Sequence, residues 1–177
     1  MSNIVLVSAT KLEHFDQKIF GLPINIIGIG KVESSYNISE IITKKKPTVI
    51  INFGSCGNLK NQKAGEIIEV GSVYNDFSAK GIYSYPKISL GKSKIKCFTR
   101  DIFYDKGEDY HNSFHKMLGN CDIVDMELYS IAFICKKKNI ELHSFKWVSD
   151  DGDSSSWLTN ASIGYNNFKK VFNERFN

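Results

Sequence analysis

Three acids, Asp150, Asp151 and Asp153, follow directly on an apolar run in the stretch SFKWVSDDGDSSSW (144–157). Such a placing admits a metal loop, a solvated turn, or one carboxyl group that moves a proton. An EF-hand register starting at Asp151 puts Asp153 and Ser155 at the next odd positions. It puts Ser162 where a bidentate Glu is needed, so no metal site is expected. Three other segments also carry reactive side chains straight after apolar runs. SATKLE (8–13) brings Lys11 and Glu13. GSCGN (54–58) brings the Ser55 hydroxyl between two glycines whose backbone could approach a ligand, or simply turn. VDMEL (124–128) brings Glu127 to a helix start, where an acid either complements the dipole or accepts paired hydrogen bonds from a sugar diol. IGIGK (27–31) lacks the third glycine of a dinucleotide fingerprint and follows the second strand, so a Rossmann site is rejected.

These segments need elements to hold them. NIVLV (3–7), INIIGI (24–29) and TVIINF (48–53) are short apolar runs rich in Ile and Val, as expected of strands buried on both faces. Ile38, Ile41 and Ile42 fall at helical spacing, and the lysines 44–46 with Pro47 end that helix. Gly71 divides two β-like segments in GEIIEVGSVYNDFSA (65–79), and IKCF (95–98), CDIVDM (121–126) and ELHSFKWV (141–148) read as further strands. Leu128, Ile131, Ala132 and Cys135 mark one face of a helix, and Phe168, Val171 and Phe172 mark a closing one. Between Lys80 and Asn120 the breakers Gly81, Pro86, Gly91, Gly107 and Gly119 predict mostly loop. Strands alternating with helices predict a three-layer α/β/α sandwich with a central mixed sheet. In such sheets ligands bind beyond the carboxyl ends of the strands, where the four polar segments lie.

A length of 177 residues suits one domain over 1–177, and the 42% apolar content is enough to give it a core. No run reaches the roughly 20 apolar residues of a membrane span, and the start MSNIVLVSATKLEHF has no basic n-region, so a soluble, unexported protein is expected. Cys56, Cys97, Cys121 and Cys135 show neither zinc spacing nor a disulfide framework, which fits reduced thiols in a cytoplasm. The net charge of +4 comes almost wholly from Lys, and both KKK runs (44–46, 136–138) close helices, where cations complement the dipole; no nucleic-acid partner is expected.

Taken in order, GIGKVESSYNISEIITKKKPTVIINFGSCGNL (28–59), GEIIEVGSVYNDFSA, CFTRDIFY (97–104), IVDMELYSIAFICKKKNI (123–140) and FKWVSDDGD (145–153) resemble the nucleoside phosphorylase and nucleosidase superfamily. Within it they resemble the branch of 5'-methylthioadenosine/S-adenosylhomocysteine nucleosidases, over nearly the whole chain. The resemblance implies a phosphorylase/hydrolase-like fold, a small-molecule purine nucleoside as ligand, cleavage of its N-glycosidic bond, no cofactor and a homodimer. It implies that Asp150 protonates N7 of the leaving purine and that Glu13 orients the attacking water. It places Met126 against the ribose, Glu127 on the ribose hydroxyls, Ser55 near the ribosyl group and Phe103 on the base. Cys56, Gly57, Tyr104 and Ser149 join the substrate-binding set from the same motifs. Cleavage leaves an oxocarbenium-like sugar and an anionic purine, so these roles require opposite protonation states at Asp150 and Glu13.

Relatives use water or phosphate. The chain has arginine only at 100 and 175, with Asn52 and Phe53 where phosphorylases place an arginine, so a guanidinium clamp is hard to assemble and hydrolysis is expected. A phosphorylase of the same fold and a nucleoside-binding relative without activity are the alternatives. The chain departs from the family pattern between Ala79 and Cys97, where it is shorter, at Arg100 in place of a Gly, and in DDGD; these differences bear on the dimer, the 5'-pocket and base preference.

Overall fold

The computed structural model describes residues 3–75, 87–107 and 118–176. Its strands are β1 (Ile4–Ser8), β2 (Lys18–Ile19), β3 (Leu22–Ile26), β4 (Val49–Asn58), β5 (Ile67–Glu69), β6 (Ser72–Asn75), β7 (Lys87–Ser89), β8 (Lys96–Thr99), β9 (Ile123–Asp125) and β10 (Glu141–Asp150). Its helices are α1 (Lys31–Lys45), α2 (Leu128–Lys138), α3 (Ser154–Asn160) and α4 (Tyr165–Phe176), with a single 3-10 turn at Lys11–Glu13. The sheet runs β2-β3-β1-β4-β9-β8-β6-β7, while β10 lies along β4 and carries β5. It is mixed: β1 is parallel to β3 and β4, and β10 to β4, whereas β9 meets the far end of β4 antiparallel.

Strand side chains alternate between faces, and this divides the core into two layers. Val5, Val7, Ile50, Leu142 and Val148 pack with Ile38 of α1 and with Leu128, Ile131 and Cys135 of α2. Leu6, Ile51, Phe53, Phe145 and Trp147 pack instead with Tyr165, Phe168 and Phe172 of α4. Burying each of these aromatic side chains contributes about 1.5–3 kcal/mol, so the closing helix is fixed mainly by rings. The three-layer architecture expected from the sequence is therefore the one observed.

Several boundaries differ from expectation. INIIGI does not continue as a strand: β3 stops at Ile26, and Gly28 and Gly30, both at φ +85°, turn the chain into α1. GSCGN is not a loop, because β4 runs through it to Asn58 while paired with β10. β10 likewise continues through Ser149 and Asp150, with a register shift between Val148 and Asp150. α3 was not legible as a helix; Asp153 caps it by accepting from the amides of Ser155 and Ser156. The segment read as loop contains β7, paired antiparallel with β6. Residues 76–86, with Gly81, Pro86 and the end of GEIIEVGSVYNDFSA, lie outside the described residues, as do 108–117. No helix among the described residues is long and apolar enough to cross a membrane.

Candidate active site

A cavity of about 180 Å³ opens beside the carboxyl ends of β1, β4 and β10 and the start of α2. Glu13, Ser55, Cys56, Gly57, Phe103, Tyr104, Met126, Glu127 and Asp150 all line it, so nine of the ten residues singled out in the sequence meet at one place. Ser149 does not line it; it falls at the register shift of β10, and its hydroxyl donates to Asp150 Oδ2 at 2.9 Å and to Cys56 O at 3.3 Å.

Glu13 ends the short 3-10 turn after β1 and is 3% exposed. Its Oε2 accepts from Ser8 Oγ (2.6 Å) and Ala9 N (3.2 Å), and its Oε1 from Ser55 N (2.8 Å) and Ser55 Oγ (2.9 Å). Four donors converge on one carboxyl group, which suits an acceptor-only ion. Gly54 makes room for it: a Cβ there would stand 2.5 Å from Glu13 Oε1. Three residues further along β4, a Cβ on Gly57 would stand 3.4 Å from Asp150 Oδ1 and 2.9 Å from Val124 Cγ1. The two glycines of GSCGN thus serve close approach of side chains within a strand, not a turn.

Asp150, 6% exposed, receives neutral donors too, Gly152 N on Oδ1 (2.9 Å), Ser149 Oγ on Oδ2 and the backbone of Asp153. Burial pushes its carboxyl above the usual aspartate range in spite of them. Asp151 and Asp153 take other work, Asp151 accepting from Asn58 Nδ2 at 2.8 Å and Asp153 capping α3.

Glu127 stands at the N-cap position of α2 but makes no capping bond with its side chain. The cap is Asp125, whose Oδ2 accepts from Leu128 N at 2.9 Å. Glu127 Oε1 instead accepts from Gly30 N, at the N-terminus of α1, at 2.9 Å. Burial, and then the neighbouring Asp125, push the Glu127 carboxyl up to about 8. Beneath it lies a fully buried ion pair, Lys146 Nζ to Asp125 Oδ2 at 2.9 Å. Burial disfavours the Lys146 ammonium, yet Asp125, Glu127 and Glu13 outweigh burial and hold its pKa well above the usual lysine range. Removing one partner of such a pair costs about 3–5 kcal/mol, because the other charge is left stranded.

Ring faces close the remainder. Trp157 of α3 donates from Nε1 to Ser55 Oγ at 3.0 Å and meets Phe103 edge-on at 6.3 Å. Arg100, Ile29 and Ile102 complete the wall, and Arg100 is buried. Trp157, Asp125, Lys146 and Gly54 were not singled out as site residues in the sequence. A lysine inside the strand run SFKWV and an aspartate inside IVDM were the available signals, since a buried charge needs a buried partner. Trp157 offered only an aromatic among serines. Among the described residues no group of three or more His, Cys, Asp or Glu is arranged to hold a metal ion.

No protein-family model matches the chain. It is 33% identical to the 5'-methylthioadenosine/S-adenosylhomocysteine nucleosidase of Buchnera aphidicola subsp. Baizongia pistaciae over 71% of this chain and 60% of that protein. It is 30% identical to the same enzyme of Buchnera aphidicola subsp. Acyrthosiphon pisum (strain APS) over 73% of this chain and 67% of that protein. The chain belongs to the 5'-methylthioadenosine/S-adenosylhomocysteine nucleosidase family. It spans about 60% of the length of the first of these relatives. Among solved structures, the Helicobacter pylori nucleosidase bound to butyl-thio-DADMe-Immucillin-A superposes with a TM-score of 0.78 at 16% identity, covering 98% of this chain and 99% of that one. The futalosine hydrolase of Helicobacter pylori superposes equally well, at 0.78 and 16%, covering 97% of each chain. These two likenesses bear on the fold alone.

Proposed function

We propose that the chain hydrolyses the N-glycosidic bond of a purine nucleoside of the 5'-methylthioadenosine or S-adenosylhomocysteine type, releasing free base and sugar. One observation carries the reading: among the buried carboxyl groups that line one cavity, Glu13 lies amid four donors while Asp150 is raised by burial. Asp150 gives its proton to N7 of the purine as the bond from C1' to N9 breaks and its electron pair leaves with the base. Glu13 accepts a proton from water as the water oxygen bonds to C1', and Glu127 holds the ribose hydroxyls with Met126 packed beside them. Phe103 stacks on the base with Trp157 edge-on to it, and the two rings shut out bulk water. Ser149 serves as a partner of Asp150 and not as a ligand of the substrate.

One observation favours phosphorolysis instead: Arg100, a guanidinium suited to oxyanions, lines the cavity. Arg175 adds nothing there, since it pairs with Glu69 at 2.7 Å. A second copy of the chain as partner is supported by exposed apolar side chains near the cavity, Ile29 and Ile102 on its rim and Val32 and Tyr36 one helical turn apart on α1. Four free, buried thiols fit the reducing cytoplasm.

The test is incubation with methylthioadenosine, S-adenosylhomocysteine, adenosine and inosine, with and without phosphate, followed by assay of base and sugar. Base release independent of phosphate, with free sugar as co-product, is expected. A requirement for phosphate and a sugar phosphate product would replace the reading with the phosphorolytic one, and no release from any nucleoside would sink both.

A further inference from the structure

Lys146 is 1% exposed and sits in β10 four residues before Asp150, yet it does not line the cavity. Its ammonium meets Asp125, which is acceptor to four donors: Lys146 Nζ and Leu128 N on Oδ2, both at 2.9 Å, and Thr99 Oγ1 (2.6 Å) and Cys97 Sγ (3.4 Å) on Oδ1. Thr99 Oγ1 in turn accepts from Tyr129 N at 3.0 Å. The first two helical residues of α2 are thus fastened by Asp125 and Thr99, and Glu127 is the residue immediately before them. With the cap supplied by Asp125, the Glu127 side chain is spared that duty and reaches across to Gly30 N.

We propose that Lys146 is a positioning residue for the sugar-binding carboxyl of Glu127, acting through Asp125 and the start of α2. A well-packed apolar pair would serve stability as well as a buried ion pair, so stability alone gives no reason for this charge. Orientation and charge balance do. Asp125 of β9 contacts the ammonium directly, and the charges of Glu127 at the head of α2 and Glu13 after β1 favour it, with Asp150 at the end of β10 and Arg100 after β8 on the same cavity. Without the ammonium, Asp125 Oδ2 would lose its charged partner, the cap it supplies to Leu128 N would loosen, and Glu127 would lose its fixed aim at the ribose diol.

The inference rests on the nucleosidase reading and on Glu127 as the diol acceptor, so the experiment separates the three claims. Steady-state kinetics are measured with methylthioadenosine and its 2'-deoxy counterpart for wild type, K146R, K146M and K146M/D125N, each checked for folding by circular dichroism. Wild type is expected to lose at least about tenfold in kcat/KM when the 2'-hydroxyl is missing, the value of one well-made hydrogen bond to a charged group. K146M is expected to raise KM for the ribonucleoside by about tenfold with a smaller change in kcat, and to discriminate against the deoxy substrate by less than about threefold. K146R should restore discrimination. If K146M does not fold, K146M/D125N, which removes both members of the ion pair, carries the same comparison. Discrimination undiminished in the folded variants overturns the Lys146 proposal alone. A wild type indifferent to the 2'-hydroxyl overturns the assignment of Glu127 and the proposal with it, and a wild type that releases no base overturns all three claims.

Discussion

Glu13 and Asp150 are buried almost equally on one cavity, yet their surroundings differ in kind. Around Glu13 the chain spends two backbone amides and two hydroxyls, from β1, β4 and the residue just after β1. Around Asp150 it places the amides of Gly152 and Asp153, one hydroxyl and the apolar end of β10 beside Val124. Depth of burial is thus nearly the same for the two carboxyl groups, while the donors aimed at them differ in number and kind. Opposite proton demands in adjacent carboxyls are what an acid and a water-polarising base require.

The comparison can be broken most severely at Asp150. D150N should lose about 10³-fold in kcat, the usual scale of a general acid, while remaining folded. Because burial raises this carboxyl in the native state, its ionised form weighs against folding: its contribution is favourable at pH below the unfolded aspartate pKa and is lost as pH rises through the native one. The melting temperature of D150N at pH 8 is accordingly expected to equal or exceed that of the wild type, by differential scanning calorimetry. E13Q should lose about 10²-fold, since the amide puts a donor where four donors already point. G54A comes next. Its methyl group would collide with the Glu13 carboxyl, and a loss of about 1–3 kcal/mol in stability by denaturant titration is expected, with kcat falling alongside. S149A is the mildest. It removes a donor that favours ionised Asp150, so kcat should change less than about threefold while the alkaline fall in activity moves to higher pH.

Much of this was legible in the sequence, and the exceptions have physical causes. Short apolar runs rich in Ile and Val located the strands around the cavity, and the polar residues after them located Glu13, Ser55, Glu127 and Asp150. The strand ends were misplaced because GSCGN looks like a turn in one dimension; only the pairing of β4 with β10 shows that its glycines yield space to Glu13 and Asp150. α3 escaped because a Ser-rich seven-residue helix has no apolar period, and with it went Trp157. Lys146 and Asp125 were visible as charges inside apolar runs, but their partnership joins β10 to β9, residues distant in sequence, and no spacing rule reaches that far. The acid of VDMEL was correctly placed at a helix start, although the cap proved to be Asp125 and not Glu127.

The most direct test of opposed carboxyls is the pH profile of kcat/KM for methylthioadenosine in wild type, D150N and E13Q. A falling alkaline limb is expected in wild type and in E13Q and should be absent from the residual activity of D150N, since the group that must stay protonated is gone. An alkaline limb that persists unchanged in D150N would contradict the account.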